Sequence, residues 1–250
     1  MPNKLSLVSK LISNRKYRDK EQLFVVEGPH LVEQSIDQNK FVVYCKPYPI
    51  IDQLLAKGIE CLKITQKQFN EITQVETPQG ILAVVKIKPN KLEELFDQDN
   101  ALIVIGHEIQ DPGNLGTIIR TADAVKATGI ILSSGTVDVY NPKVIRSSMG
   151  SIFNLPIVQV DDVMIAINLL KKNKIKVIGT SLDTNKSIYD EDLRPACAVM
   201  IGNEGAGVNQ AVLGQCDSVV KIPIFGKAES LNVAVSAAVV LYEAVRQRIC

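Results

Sequence analysis

Ala101-Leu-Ile-Val-Ile105, Gly129-Ile-Ile-Leu132, Ile157-Val-Gln-Val160, Ile175-Lys-Val-Ile178, Ala196-Cys-Ala-Val-Met-Ile201 and Val219-Val-Lys-Ile222 are short runs rich in β-branched residues, with amphipathic segments between most of them. Near-continuous apolar runs of this length predict strands buried on both faces. Strands alternating with helices predict an α/β fold, a mainly parallel sheet with helices on both sides. In such a sheet the ligand site gathers at the carboxyl ends of the strands. The informative residues therefore belong in the loops that follow these runs.

Upstream of Ala101 the rhythm is different. Leu23–Val26, Phe41–Tyr44, Cys61–Ile64 and Gly80–Ile87 read as strands, and Ile50–Ala56 reads as a helix closed by Gly58. Lys86–Asn100 is rich in Lys, Glu, Asp and Asn with one proline, which suits a linker carrying a short helix. The expected organisation is a small α/β domain over 1–88, a linker over 89–99 and a larger domain over 100–250.

Composition narrows the class. The chain has 250 residues, 46% hydrophobic and 22% charged, with a net charge of +1. No apolar run approaches the roughly 18–20 residues of a membrane span, and the basic start lacks a signal peptide's apolar stretch, so a cytoplasmic location is the default. The five cysteines are scattered without a CxxC pair and there are two histidines, so neither a disulfide framework nor a metal site is expected. With so small a net charge, a nucleic-acid partner must be held by local patches. One such patch is Lys4, Lys10, Arg15, Lys16, Arg18 and Lys20 against the single acid Asp19. It reads either as a solvated helix or as an RNA contact made by Lys10, Arg15, Lys16 and Arg18.

Three loops carry residues suited to chemistry. After Ile105, Asp111-Pro-Gly is turn chemistry and Asn114 is a good helix N-cap. Leu115, Ile118, Ile119 and Ala122 form a buried stripe, with Asn114, Thr117 and Thr121 on the polar side and Arg120 beside them. Arg120 is placed to meet a phosphate or a developing oxyanion. After Ile201 comes Gly202-Asn-Glu-Gly-Ala-Gly207, whose glycines allow close backbone approach to a ligand. Its GxxGxG spacing is neither the GxGxxG of a dinucleotide fold nor a phosphate loop, and Glu204 at its centre repels phosphate. An oxidoreductase is thereby disfavoured. The third loop, Ile222-Pro-Ile-Phe-Gly-Lys-Ala-Glu-Ser-Leu-Asn-Val233, leads into the longest helical segment, with Ser230 as its candidate cap and Asn232 as a buried amide in need of a partner. Val233–Leu241 is apolar on nearly all sides, so both the fold and a partner should cover it.

In this order, Asn114-x-Gly116-x-x-x-Arg120, Gly202-Asn-Glu-Gly-x-Gly207 and Ile222-Pro223 with Ser230-Leu-Asn-Val233 resemble the SpoU family of RNA ribose 2′-O-methyltransferases, within the knotted SPOUT superfamily. Ser148–Pro156 looks like the family's connecting segment, and Phe24-Val-Val-Glu-Gly-Pro29 looks like the small RNA-binding domain that often precedes the catalytic one. The resemblance implies a C-terminal trefoil knot, a homodimer with Val233–Leu241 at its interface, and S-adenosylmethionine as cofactor, with no metal. It places Thr180, Ser181, Ile201, Gly202, Asn203, Gly205, Ile222, Pro223, Ser230, Leu231 and Asn232 around the cofactor. It makes Arg120 the main catalytic residue, with Asn114, Glu204, Ser230 and Asn232 orienting it and the ribose, and with Asn114 and Arg120 supplied by either subunit. A guanidinium has no free acceptor, so the expected role for Arg120 is alkoxide stabilisation and phosphate grip. Ribosomal RNA is the favoured substrate. Transfer RNA, or a catalytically inactive RNA-binding or ribosome-assembly protein of the same fold, is the alternative.

Overall fold

The computed structural model describes residues 2–96 and 100–249. In chain order the elements are α1 (Pro2–Ser13), α2 (Arg15–Glu21), β1 (Leu23–Glu27), α3 (Pro29–Gln34), β2 (Asn39–Tyr44), α4 (Ile50–Ala56), β3 (Glu60–Lys63), α5 (Gln66–Ile72), β4 (Ile81–Lys86), β5 (Leu102–Gly106), α6 (Pro112–Ala124), β6 (Gly129–Ser133), α7 (Pro142–Ser148), β7 (Ile157–Val160), α8 (Val163–Lys172), β8 (Lys176–Thr180), β9 (Cys197–Ile201), α9 (Gln210–Leu213), β10 (Ser218–Val220) and α10 (Val233–Ile249). They form two compact units, residues 1–88 with 138–153, and residues 89–137 with 154–250.

The first unit is a four-stranded sheet in the order β1-β4-β2-β3. β4 runs antiparallel to both β1 and β2, and β3 runs parallel to β2. Both faces are buried, as the unbroken apolar strands require. Leu23, Val25, Phe41 and Val43 pack with Val8 and Leu11 of α1 and Phe69 of α5 on one face. Phe24, Val26, Val42 and Ala83 pack with Val32 and Leu54 on the other.

That second face corrects the expected domain limits. Asp138–Phe153, read as part of the larger domain, returns to the first unit. Ile145 of α7 is fully enclosed in this core. The Phe24 ring lies 4.8 Å from Tyr140 and 6.2 Å from Phe153. Arg18, expected to contact RNA, is 4% exposed. Its Nε donates to Asp138 Oδ2 at 2.8 Å, and its Nη1 donates to the Leu11 and Ile12 carbonyls. It is a buried structural cation, not a ligand for phosphate. Lys10, Arg15 and Lys16 do stand exposed.

The second unit is a six-stranded sheet in the order β10-β8-β9-β5-β6-β7, parallel throughout. α8 and α9 cover one face through Ala166, Ile167, Leu170, Val212 and Leu213. α6 and α10 pack on each other, against β6 and β9 respectively. From β5 the chain steps outward through β6 and β7, then restarts on the other side with β8 and inserts β9 between β8 and β5. The boundary between β5 and β9 is thus a topological switch point, where parallel sheets open a crevice at their carboxyl ends. The expected linker is partly core: Leu95, in a 3-10 turn over Leu92–Leu95, is wholly buried in this unit, and residues 97–99 lie outside the described residues. Among the described residues no helix is long and apolar enough to cross a membrane.

Candidate active site

The loops that leave β5 and β9 at the switch point are laced together. The His107 amide donates to the Ile201 carbonyl at 2.8 Å, and Asn203 Nδ2 donates to the Glu108 carbonyl at 3.0 Å. Asn203 Oδ1 in turn accepts from the amides of Gly205 and Ala206, and Asn203 and Gly207 exchange two backbone bonds of 3.0 Å. The glycine loop is therefore a closed hairpin tied to the start of the β5 loop. A Cβ on Gly202 would lie 2.3 Å from the Gly207 carbonyl carbon, so this glycine is demanded by its own loop. Gly207 has φ +69, the left-handed region that glycine adopts without strain.

Glu204 projects from that hairpin onto the start of α6. One oxygen accepts from the Gln110 amide at 3.1 Å, the other from the Asp111 amide and Asn114 Nδ2, both at 3.0 Å. Partial burial pushes the Glu204 pKa up, but the bonds from Asn114, Asp111 and Gln110 outweigh it and hold the carboxyl below its ordinary range. Asn114 Oδ1 accepts from Asn232 Nδ2 at 3.0 Å, and Asn232 Oδ1 accepts from the amides of Ala234 at 2.9 Å and Val235 at 3.3 Å. Three loops far apart in sequence thus meet in one chain of hydrogen bonds.

Two expected caps change places. The cap of α6 is Asp111, whose carboxylate accepts from the Asn114 amide at 2.9 Å, with Pro112 in the first turn. This frees the Asn114 side chain to bridge Glu204 and Asn232. The amides at the start of α10 are taken by Asn232, not Ser230, and Asn232 is exposed, not buried.

Beside this network is a cavity of about 320 Å³ at the carboxyl ends of β8, β9 and β10. Thr180, Ser181, Ile201, Gly202, Asn203, Gly205, Ile222, Ser230 and Leu231 line it. Of the residues expected around a cofactor, Pro223 and Asn232 do not. Leu182, Ile224, Glu229, Val233 and Ser236 line it too. They were missed because nothing in their local sequence marks a wall; only the pairing of β8 with β10 brings them there. His107 was also passed over. It is 3% exposed beneath the glycine loop, Nε2 lies 3.4 Å from Asn209 Nδ2, and burial pushes its pKa down against a small opposing pull from Glu108. Burial thus disfavours its charged form, and its ring meets Asn209, just past the glycine loop.

Arg120 is not brought into the cavity of its own chain. It lies on the exposed side of α6 with no hydrogen bond or ion pair among the described residues. α10 leaves a second surface uncovered: Val235 is 48% exposed, Tyr242 54% and Ile249 78%, at seven-residue spacing and hence along one stripe.

The sequence profile of the SpoU rRNA Methylase family matches residues 101–242, and that of the MRM3-like substrate binding domain matches residues 7–83. The chain is 37% identical to the 23S rRNA (guanosine(2553)-2′-O)-methyltransferase RlmP of Bacillus subtilis, over 93% of this chain and 92% of that one. Among solved structures it resembles the SpoU methyltransferase AviRb of Streptomyces viridochromogenes in complex with AdoMet, with a TM-score of 0.91, 31% identity and 98% of each chain covered. It also resembles an AdoMet-bound rRNA methyltransferase of Sinorhizobium meliloti, with a TM-score of 0.87, 30% identity, and 97% of this chain and 94% of that one covered. By fold, by the three joined loops and by these likenesses, the chain belongs to the SpoU rRNA methylase family.

Proposed function

We propose that this protein moves a methyl group from S-adenosylmethionine to a ribose 2′-hydroxyl of large-subunit ribosomal RNA, as a cytoplasmic homodimer. The observation that carries the reading is the cavity at the ends of β8, β9 and β10, walled by the glycine hairpin and edged by the Glu204–Asn114–Asn232 chain. The residues suit that donor. Ile201, Ile222, Ile224 and Leu231 give an apolar wall for a purine, Gly202 and Gly205 leave backbone open to polar contact, and Glu204 and Glu229 favour a cation. The relatives named as acting on 23S rRNA support the choice of RNA. A ribosomal RNA substrate supports the cytoplasmic part of the reading.

The donor supplies a methyl group on a positively charged sulfur, which departs as a neutral thioether. As the O–CH3 bond forms and the S–CH3 bond breaks, the 2′-oxygen loses its proton to water or a phosphate oxygen. Arg120 offers only donors and stays charged, so its part is to steady the oxygen's developing negative charge and hold the adjacent phosphate. Glu204, fixed as a carboxylate at the cavity wall, orients Asn114, and Asn114 in turn holds Asn232. Arg120 serves the cavity of the partner subunit, while Asn114 serves its own chain's Glu204. The apolar stripe of α10 supports a dimer contact. Threading of the last segment through a trefoil knot belongs to this reading through family membership. So does RNA holding by the first unit, which Lys10, Arg15 and Lys16 suit.

Transfer of radiolabelled methyl to unmodified ribosomal RNA, with resistance to alkaline cleavage at one ribose, tests the reaction; label on a base, or on transfer RNA alone, contradicts it. Arg120→Ala is expected to lower kcat by about 100-fold or more, with the calorimetric affinity for S-adenosylmethionine unchanged. Mixing it with a Gly202→Val subunit should restore part of the activity, since one of the two cavities then has both an intact hairpin and a partner's arginine.

A further inference from the structure

We propose that Phe225 is a stacking platform for an unpaired base of the RNA, next to the nucleotide that is methylated; the proposal rests on the RNA-methylating reading above. The loop from β10 to α10 forms one wall of the cavity through Ile222, Ile224, Ser230 and Leu231. Phe225, next in the chain after Ile224, does not line the cavity. The ring is 96% exposed, the most open of the large apolar side chains among the described residues. Leaving a phenyl ring in water forgoes the stabilisation its burial brings, so a ring held out beside a ligand cavity calls for an occupant. Gly226 follows it, and a Cβ there would meet nothing within 4 Å. Lys227 comes next, exposed and without an ion pair among the described residues.

The chemistry of the reaction identifies the occupant. A ribose carries its base on the carbon adjacent to the 2′-carbon, so a 2′-oxygen at the cavity mouth brings a base with it. In a stacked duplex that oxygen cannot enter a concave site. The nucleotide must be splayed out, and splayed bases are received on aromatic faces, with neighbouring cations meeting the phosphates. An open ring followed by a free lysine, one residue beyond the cavity wall, has that composition. The flat face of Phe225 takes any base, so the platform aids affinity and placement more than sequence choice.

The test uses the full-length protein and unmodified large-subunit ribosomal RNA made by transcription. Filter binding without S-adenosylmethionine is followed by turnover with it. Phe225→Ala is expected to weaken RNA binding about fivefold or more and to raise the KM for RNA to match. Donor affinity by calorimetry and mass by light scattering stay unchanged. Phe225→Trp should restore binding and Phe225→Leu should not, because leucine keeps the apolar bulk and loses the π-face. Unchanged RNA affinity in the alanine variant, rescue by leucine equal to that by tryptophan, or a halved mass in Phe225→Ala would each overturn the proposal; the last would assign the ring to the partner subunit. Binding is read without the donor, so a wild-type protein that binds the RNA but methylates no ribose would refute the catalytic reading and leave the Phe225 comparison intact.

Discussion

Both oxygens of Glu204 are already engaged by two amides and an amide side chain. A carboxylate so occupied orients its donors and does not shuttle protons. Glu204→Gln turns an NH2 toward a backbone N–H, so one bond becomes a donor–donor contact. We expect faster hydrogen exchange at the Gln110 and Asp111 amides and a kcat/KM about 10–100-fold lower. Because the folded pKa is depressed, the stabilisation is fully present above the unfolded value and fades only as pH falls through the lower, folded one. A titration of the Glu204 carboxyl carbon should therefore have its midpoint below the ordinary value for a glutamate. Gly202→Ala is expected to reduce both donor affinity and melting temperature, because its methyl group meets backbone, not a yielding side chain. An alanine variant with wild-type stability that binds the donor normally would contradict this. The importance of Gly202 was legible in the glycine spacing; its cause was not, since the crowding comes from Gly207 and Val208 folding back over it.

At the scale of elements, Glu191 fastens the segment that follows β8. It is 2% exposed, and its carboxylate is held by Lys186 at 2.7 Å, by Lys176 and by Ser218 of β10, while its carbonyl accepts from Gln247 of α10 at 2.9 Å. Thr180–Leu182 of the cavity wall lead into this segment. Burial pushes the Glu191 pKa up, and the bonds from Lys176, Lys186 and Ser218 bring it below normal. Glu191→Ala is expected to cost about 2 kcal/mol, since both lysines are partly solvated and recover water. It should also raise the KM for the donor more than it lowers kcat, as steady-state kinetics would show. The strands were readable because runs such as Leu-Ile-Val-Ile have few other places to go. The helix caps were less so: Asp111 and Asn114, like Ser230 and Asn232, are each capable cappers two or three residues apart, and only the Asn232–Asn114–Glu204 chain selects between them. Arg18 was misread because a charge in a basic run looks solvated until its distant partner Asp138 is known.

For the whole molecule, the return of Asp138–Phe153 to the first unit matters most. A fragment of residues 1–88 loses Ile145 from its core, Tyr140 and Phe153 from beside Phe24, and Asp138 from the buried Arg18. An unpaired buried guanidinium alone is worth about 3–5 kcal/mol of instability, on the order of half a small domain's stability. The fragment is expected to be expanded, with poorly dispersed amide resonances. A sharp, native-like spectrum would show that Asp138–Phe153 is dispensable. No local pattern announces this exchange, because α7 has the same apolar spacing whichever sheet it covers.

The same arrangement sets an order of events during synthesis. A nascent chain that has emerged as far as Lys88 has all four strands of its first sheet but lacks the helix and aromatic rings that close one side. At roughly 5–20 residues per second, the 65 residues from Lys88 to Phe153 take about 3–13 s to appear. For that interval Phe24 lacks its neighbours Tyr140 and Phe153, and the face it shares with Val42 and Ala83 is closed only in part, by Val32 and Leu54, so this side of the sheet is the last of the unit to be completed.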